Sequence, residues 1–418
     1  MHKKRWIGGG CLLLLLGIGW CAAQAWSSHV GEQALERLTA RLDARDGWQA
    51  SRHEVEQGWW HSSGVLRLET AASEDGPLRV ALPYRVRHGV LSSHLDGEAV
   101  VTHAGETLLA ADSAPTWQAS YRTLSGDMKG RLEWPAFTSS DVLPEAASLE
   151  VGAGELMLRG HAGDVRYHLR SAPWRVSLGE ASLDIGAFDV EGRHRGDART
   201  FQHTARLSLA TLTWQGGAPF SLNALNYEAD MRLDDDTFGY HGEGDVADIA
   251  VAGQSVASGR MSLGLERVDA DALRALVERM RESSLGESSL GADSNRDVTS
   301  VDETSRWGDL TPLMVDVLRD SPRLTLETLQ VTSEAFGVDS RAFGELTLDG
   351  DDSASLAATP ATSPAFWRRL QQRLDGQVTL VDAPALLALH LGLPPETPRL
   401  VFRVDAGQWR VNERALRW

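Results

Sequence analysis

From about Trp48 to Asp269 the apolar residues of this 418-residue chain recur with a period near two. Val165, Tyr167 and Leu169 alternate with Arg166, His168 and Arg170, and Trp174, Val176 and Leu178 repeat the rhythm. Leu207, Leu209, Thr211 and Thr213 continue it. A period of two means extended strand, because successive side chains then point to opposite faces. Turn signals break the runs at Asp75-Gly76-Pro77, Ser125-Gly126-Asp127, Gly152 to Gly154, Gly216-Gly217 and Asp234-Asp235-Asp236. Strands joined by such short turns pair antiparallel, with one apolar and one polar face, and leave no room for a βαβ array. The expected fold is mainly β (α+β): an extended antiparallel meander sheet with a few covering helices, preceded by one N-terminal transmembrane helix.

Helical spacing is confined to a few places. Val30, Ala34, Leu35, Leu38 and Leu42 place an amphipathic helix over Ser28 to Arg45, ended by Gly47. After Asp269, Leu273, Leu276, Val277 and Met280 form one stripe, with Asp269 or Asp271 as N-cap. A second stripe, Leu310, Leu313, Met314 and Val317, lies between Asp309 and Arg319. Ser363-Pro364 opens a capped helix, and Leu386 to Leu391 reads as a short buried helix closed by Gly392. The stretch 283–305 is rich in Ser, Gly and Asp and lacks the apolar content to pack, so a flexible insertion is expected there. The expected divisions are a membrane segment 1–26, a juxtamembrane helix 27–47, a β-rich region 48–269 and an α+β region 270–418.

The N-terminus sets the expected location. Lys3, Lys4 and Arg5 precede an uncharged run from Trp6 to Trp26 that contains Leu12, Leu13, Leu14, Leu15 and Leu16. As a helix this run would span roughly 30 Å, the thickness of a bilayer's hydrocarbon core. The positive flank stays cytoplasmic, so the bulk of the chain is expected in the periplasm, tethered to the bacterial inner membrane by a single pass. Ala23-Gln24-Ala25 also fits a signal-peptidase site, which leaves cleavage open as an alternative to a retained anchor. Lipidation of Cys21 is disfavoured by the bulky Trp20 before it.

Composition excludes several function classes. The only cysteines are Cys11 and Cys21, so the exported part has neither disulfides nor cysteine-ligated metal sites. The net charge is −17, and without the three cations Lys3, Lys4 and Arg5 it is −20. A surface of that sign repels nucleic acid, which is excluded as a partner, and anionic headgroups. Lys129 is the only lysine outside the N-terminal flank.

No catalytic pattern is present. The thirteen histidines include no His-Glu-x-x-His spacing. His161 and His168, on one strand, would face opposite ways, and a turn separates His88 from His94. Asp234-Asp235-Asp236 and Asp349-Gly350-Asp351-Asp352 lack the later glutamate of a calcium loop and read as turns. No nucleophile elbow, phosphate loop or dinucleotide fingerprint occurs, and no cofactor or metal is expected. Trp59 and Trp60 are the candidate contact residues for a lipid or protein partner: on a strand one ring would point into the core and the other outward.

The order of short motifs resembles the YdgA-like family of bacterial envelope proteins, whose function is uncharacterised. Gln57-Gly58-Trp59-Trp60-His61-Ser62-Ser63-Gly64 is similar to its aromatic-glycine-serine strand turn. Arg87-His88-Gly89 is similar to its His-Gly-Pro step, with Val90 where the proline would stand. Ala257 to Leu263 followed by Val268-Asp269, then Leu374 to Leu380, then Gly407 to Asn412, match its later strands in order. The resemblance implies an inner-membrane-tethered, β-rich periplasmic protein that self-associates, and it supplies no catalytic residue. The function expected is therefore non-enzymatic: a scaffold, or a sheet that binds an apolar ligand, an envelope lipid, a protein partner or a second copy of itself. The alternatives are lipid handling in the envelope and a hydrolase whose residues converge only in the fold.

Overall fold

A computed structural model describes residues 48–58, 60–70, 78–103, 106–107, 109, 113–139, 147–197, 199–289, 311–351, 356, 359 and 363–416, together with Glu36, Thr39, Ala40 and Asp43. The anchor leucines Leu12 to Leu16 and most of the juxtamembrane helix lie outside these residues, although Glu36, Thr39, Ala40 and Asp43 are helical. Among the described residues no helix is long and apolar enough to cross a membrane. The chain divides into two compact units, Met1–Ala172 and Pro173–Trp418, so the boundary falls inside the expected β-rich region 48–269.

Apart from the helical residues Glu36, Thr39, Ala40 and Asp43, the described elements of the first unit are strands. Its strands are β1 (Trp48–Glu56), β2 (His61–Thr70), β3 (Leu78–His88), β4 (Ser92–Glu98), β5 (Val100–His103), β6 (Glu106–Thr107), β7 (Thr116–Arg122), β8 (Met128–Trp134), β9 (Phe137–Ser139), β10 (Ala147–Val151), β11 (Gly154–His161) and β12 (Asp164–Ser171). Every pairing is antiparallel: β1–β2–β3–β4–β7–β8–β11–β12 in order. β5 pairs with the early part of β3, and β9 pairs with β10. Aromatic residues stand directly opposite glycines at Tyr84–Gly64, Trp117–Gly97 and Trp134–Gly154. Each aromatic side chain fills the space that a glycine Cβ would take, which fixes these pairs in register.

The second unit continues with β13 (Trp174–Leu178), β14 (Ala181–Ile185), β15 (Phe188–Gly196), β16 (Phe201–Gln215), β17 (Phe220–Leu233), β18 (Thr237–Val251) and β19 (Gln254–Asp269). After α1 (Ala270–Ser289) come β20 (Arg323–Ser333), β21 (Val338–Leu348), α2 (Pro364–Gln371), β22 (Leu374–Val381), α3 (Ala385–His390), β23 (Arg399–Asp405), β24 (Gln408–Val411) and β25 (Arg414–Ala415). From β15 to β25 each strand pairs antiparallel with the next in sequence. β14 and β15 share β16, taking its later and earlier halves respectively. The antiparallel meander expected from the alternation is thus present.

The helices differ in detail from the sequence reading. Asp269 caps α1, its carboxylate accepting from the Ala272 N–H at 2.7 Å. Residues 283–289 of the expected insertion continue α1, and 290–305 lie outside the described residues. In the helical segment 311–316 the sealed positions are Thr311 and Val315 rather than the expected Leu–Met stripe. Val315 packs with Leu356 and Phe366 of α2, so it is the contact with α2 that sets the buried face. α3 is present but is not buried: Leu386 is 80% exposed and Leu389 53%, and only Ala388 is sealed. Six residues are too few to turn more than one narrow stripe toward a sheet.

Candidate functional site

The second unit carries an apolar face that follows from its register. Val190, Leu207, Tyr227, Gly244, Met261, Leu329, Ala342, Leu380 and Leu400 stand opposite one another in a row from β15 through β23. Beside it, Ala205, Ala229, Gly242, Leu263, Leu326, Gly344, Val378 and Phe402 form a second row. Neither row contains a charged side chain. Tyr227 occupies the space above Gly244, where a Cβ would come 3.1 Å from its ring.

On the opposite face of β15 to β19, polar side chains pair with one another across the strands. Arg206 bridges Glu191 at 3.6 Å and Glu228 at 2.9 Å. Ser208 donates to Asn226, which donates to Asp245. Asp248 accepts from Ser255 and Asn223, and these bonds hold its carboxyl below the ordinary range.

Cover on the apolar face is uneven. At the far end Leu400 and Val411 are sealed, packed with Ala388 of α3 and Leu393 and flanked by Leu380, Leu387 and Phe402. Toward the middle the cover thins: Leu207, Tyr227 and Leu329 are half-buried and Met261 is 39% exposed. At the other end His203 stands opposite His194, with ring centres 5.9 Å apart. Burial there, and then the neighbouring His194, push the His203 imidazole below its ordinary value, while Asp230 works the other way.

The sequence-nominated residues fall elsewhere. Trp59 lies outside the described residues. Trp60 is 52% exposed, in the connection between β1 and β2 rather than on a strand as expected, and its carbonyl accepts from the His88 N–H at 2.8 Å. His161 and His168 belong to two strands, β11 and β12, not one. His88 and His94 lie either side of the β3–β4 turn, with His88 sealed and His94 exposed. Asp234-Asp235-Asp236 forms the β17–β18 turn, and the Asp234 and Asp235 carbonyls accept from Arg274 of α1. Among the described residues no group of three or more His, Cys, Asp or Glu side chains is placed to hold a metal ion. The apolar rows escaped the sequence reading because Met261, Leu329 and Leu380 are far apart in the chain. Alternation marks a face but not which strands share it.

One serine–histidine contact was not nominated. Ser62 Oγ lies 2.8 Å from His88 Nε2, and Ser93 Oγ lies 3.2 Å from His88 Nδ1. The distances suit a nucleophile and a base, but a nucleophile must meet its substrate. Ser62 and His88 are each 4% exposed and Ser93 1%. The arrangement ties the ends of β2, β3 and β4 together instead.

Residues 2–389 match a family described as "Bacterial protein of unknown function (DUF945)". The chain belongs to that family. The match runs through both units into α3 and takes in the sheet face from Val190 to Leu380, but not its β23 end at Leu400 and Phe402. No curated protein and no solved structure matches the chain.

Proposed function

We propose that this protein is a non-enzymatic, membrane-tethered protein of the bacterial envelope whose second unit holds an apolar ligand on its partly covered sheet face. The observation that carries the reading is the charge-free row from Val190 to Leu400, sealed by α3 at one end and half open in its middle. An elongated acyl chain suits such a row better than a compact solute. Each methylene withdrawn from water contributes about 0.8 kcal/mol, and no specific polar contact is needed. The tether rests on the uncharged run from Trp6 to Trp26 behind its basic flank.

The test is to purify the full chain from membranes in mild detergent and identify what accompanies it by lipid and protein mass spectrometry. Stoichiometric lipid is expected, reduced in Leu207→Asp and Met261→Asp but kept in Ser208→Asp on the polar face. A stoichiometric protein, or a second copy of the chain, without lipid would show that the face is an assembly surface. Hydrolysis of an envelope substrate by a chain carrying neither would overturn the reading.

A further inference from the structure

The first unit carries a row of opposite character. Across β3, β4, β7, β8, β11 and β12 the directly opposed residues are Arg87, His94, Ser120, Lys129, Arg159 and Arg166. His61 of β2 extends the row by standing opposite Arg87. The row contains no acidic residue, although the chain carries 58 Asp and Glu against 41 Lys and Arg. One of its members is Lys129, the one lysine beyond the N-terminal flank.

The pairing of these cations is unequal. Arg87 meets Asp96 at 3.3 Å, and in the neighbouring row Arg131 is held between Glu133 at 2.5 Å and Glu155 at 2.8 Å. Among the described residues no carboxylate lies within ion-pair distance of Lys129, Arg159 or Arg166, and all three are exposed. Like charges placed directly opposite on neighbouring strands destabilise a sheet. Here Lys129 opposes Arg159, and Arg159 opposes Arg166. Arg87, His94, Lys129, Arg131 and Arg159 also line one open trough of about 720 Å³, with Asp96 the only acid on its wall.

We infer that this trough is a binding site for a phosphate-bearing anion, seated between Lys129 and Arg159. An anion there relieves the repulsion along the row and receives charge-assisted hydrogen bonds from a guanidinium and an ammonium. The acidity of the whole chain does not prevent this, because at physiological salt fields are screened within about 8 Å and the near cations dominate. The same chemistry is offered by a lipid headgroup and by a small soluble phosphate ester. The site is separate from the apolar face of the second unit and stands or falls without it.

The full chain in non-ionic detergent is titrated with glycerol phosphate, and separately with micelles containing phosphatidylglycerol or phosphatidylcholine. Expected is saturable binding that weakens as salt is raised. In K129Q/R159Q the affinity falls about tenfold or more, a loss of about 1.4 kcal/mol. The melting temperature of the unliganded variant stays level or rises, because like charges have been removed. Arg166→Gln, at the outer end of the row, gives a smaller loss of the same kind and serves if the double variant does not fold. Binding of glycerol phosphate as tight as that of phosphatidylglycerol identifies a soluble ester as sufficient. Binding of the phosphatidylglycerol micelles alone identifies a headgroup at a lipid surface. Equal binding to phosphatidylcholine, no binding of either anion, or undiminished binding by folded K129Q/R159Q and R166Q would overturn the site.

Discussion

Trp117 and Gly97 stand directly opposite each other on β7 and β4, and the indole fills the place a side chain at residue 97 would need. A Cβ at Gly97 would come 2.9 Å from the ring and closer still to the Pro83 carbonyl. Gly97→Ala is therefore expected to destabilise the first unit by about 1–3 kcal/mol, because neither backbone nor packed ring can give way cheaply. Gly130→Ala is the control, since its Cβ would meet Leu158 at an ordinary 3.7 Å. Denaturant midpoints of the two variants should separate clearly; equal midpoints would mean that the ring does not hold that position.

Ser62→Ala removes one partner of a sealed imidazole. An orphaned buried polar group costs about 1–3 kcal/mol, and the loss should appear as a lower urea midpoint with an unchanged slope. If Ser62→Ala left stability untouched, the contact would have no structural role and the serine's chemistry would need to be reopened.

Acid should weaken the second unit through His203. Its folded-state value lies below the ordinary 6.5, so the unfolded chain binds the proton more readily. Stability from this group is present above 6.5 and is lost as pH falls through the lower folded value. His203→Phe should flatten the fall in melting temperature between about pH 8 and pH 5. A variant as acid-sensitive as the parent would shift the cause to other groups.

Arg274 joins α1 to two hairpin turns, donating to the carbonyls of Arg199 and Asp234 at 2.7 and 2.6 Å and to that of Asp235 at 3.2 Å. Arg274→Met keeps the stem and removes these bonds. Amide hydrogen exchange should then quicken in the 197–200 and 234–236 turns while the centres of β17 and β18 remain protected. Lysine should rescue poorly, because one ammonium cannot fork to all three carbonyls.

The membrane proposal has its own test. Alkaline carbonate washing should leave the full chain in the membrane pellet, with the charge-free run Trp6 to Trp26 intact at its N-terminus. Recovery of a soluble chain beginning at Trp26 would show that the segment is removed by a signal peptidase instead.

How much of this could be read from the chain depended on the range of the interaction. Alternation of Val165, Tyr167 and Leu169 against Arg166, His168 and Arg170 is local, and the structure places these residues in one strand, β12. The Asp234 turn is a local signal too and is found where it was expected, and of the two expected caps, Asp269 and Asp271, it is Asp269 that bonds the helix end. Register is not local. Nothing near Lys129 announces that Arg159 will stand beside it, and an average over the charges of the chain conceals the pair. The same holds for Trp117 and Gly97, which meet only through the pairing of β4 with β7. Leu386 and Leu389 misled for a related reason: an apolar run names a helix, but only its neighbours decide which residues are sealed.

From β15 to β25 each strand is bonded to the one that follows it in the chain, so the second unit grows in a single direction. Such a sheet behaves as a ruler. Each inserted hairpin would lengthen the apolar row by roughly 10 Å, two strand spacings, replacing only the one pairing at the point of insertion. Duplication or loss of one hairpin would thus change the length of the greasy track by a fixed step, a quantity that selection can adjust in increments.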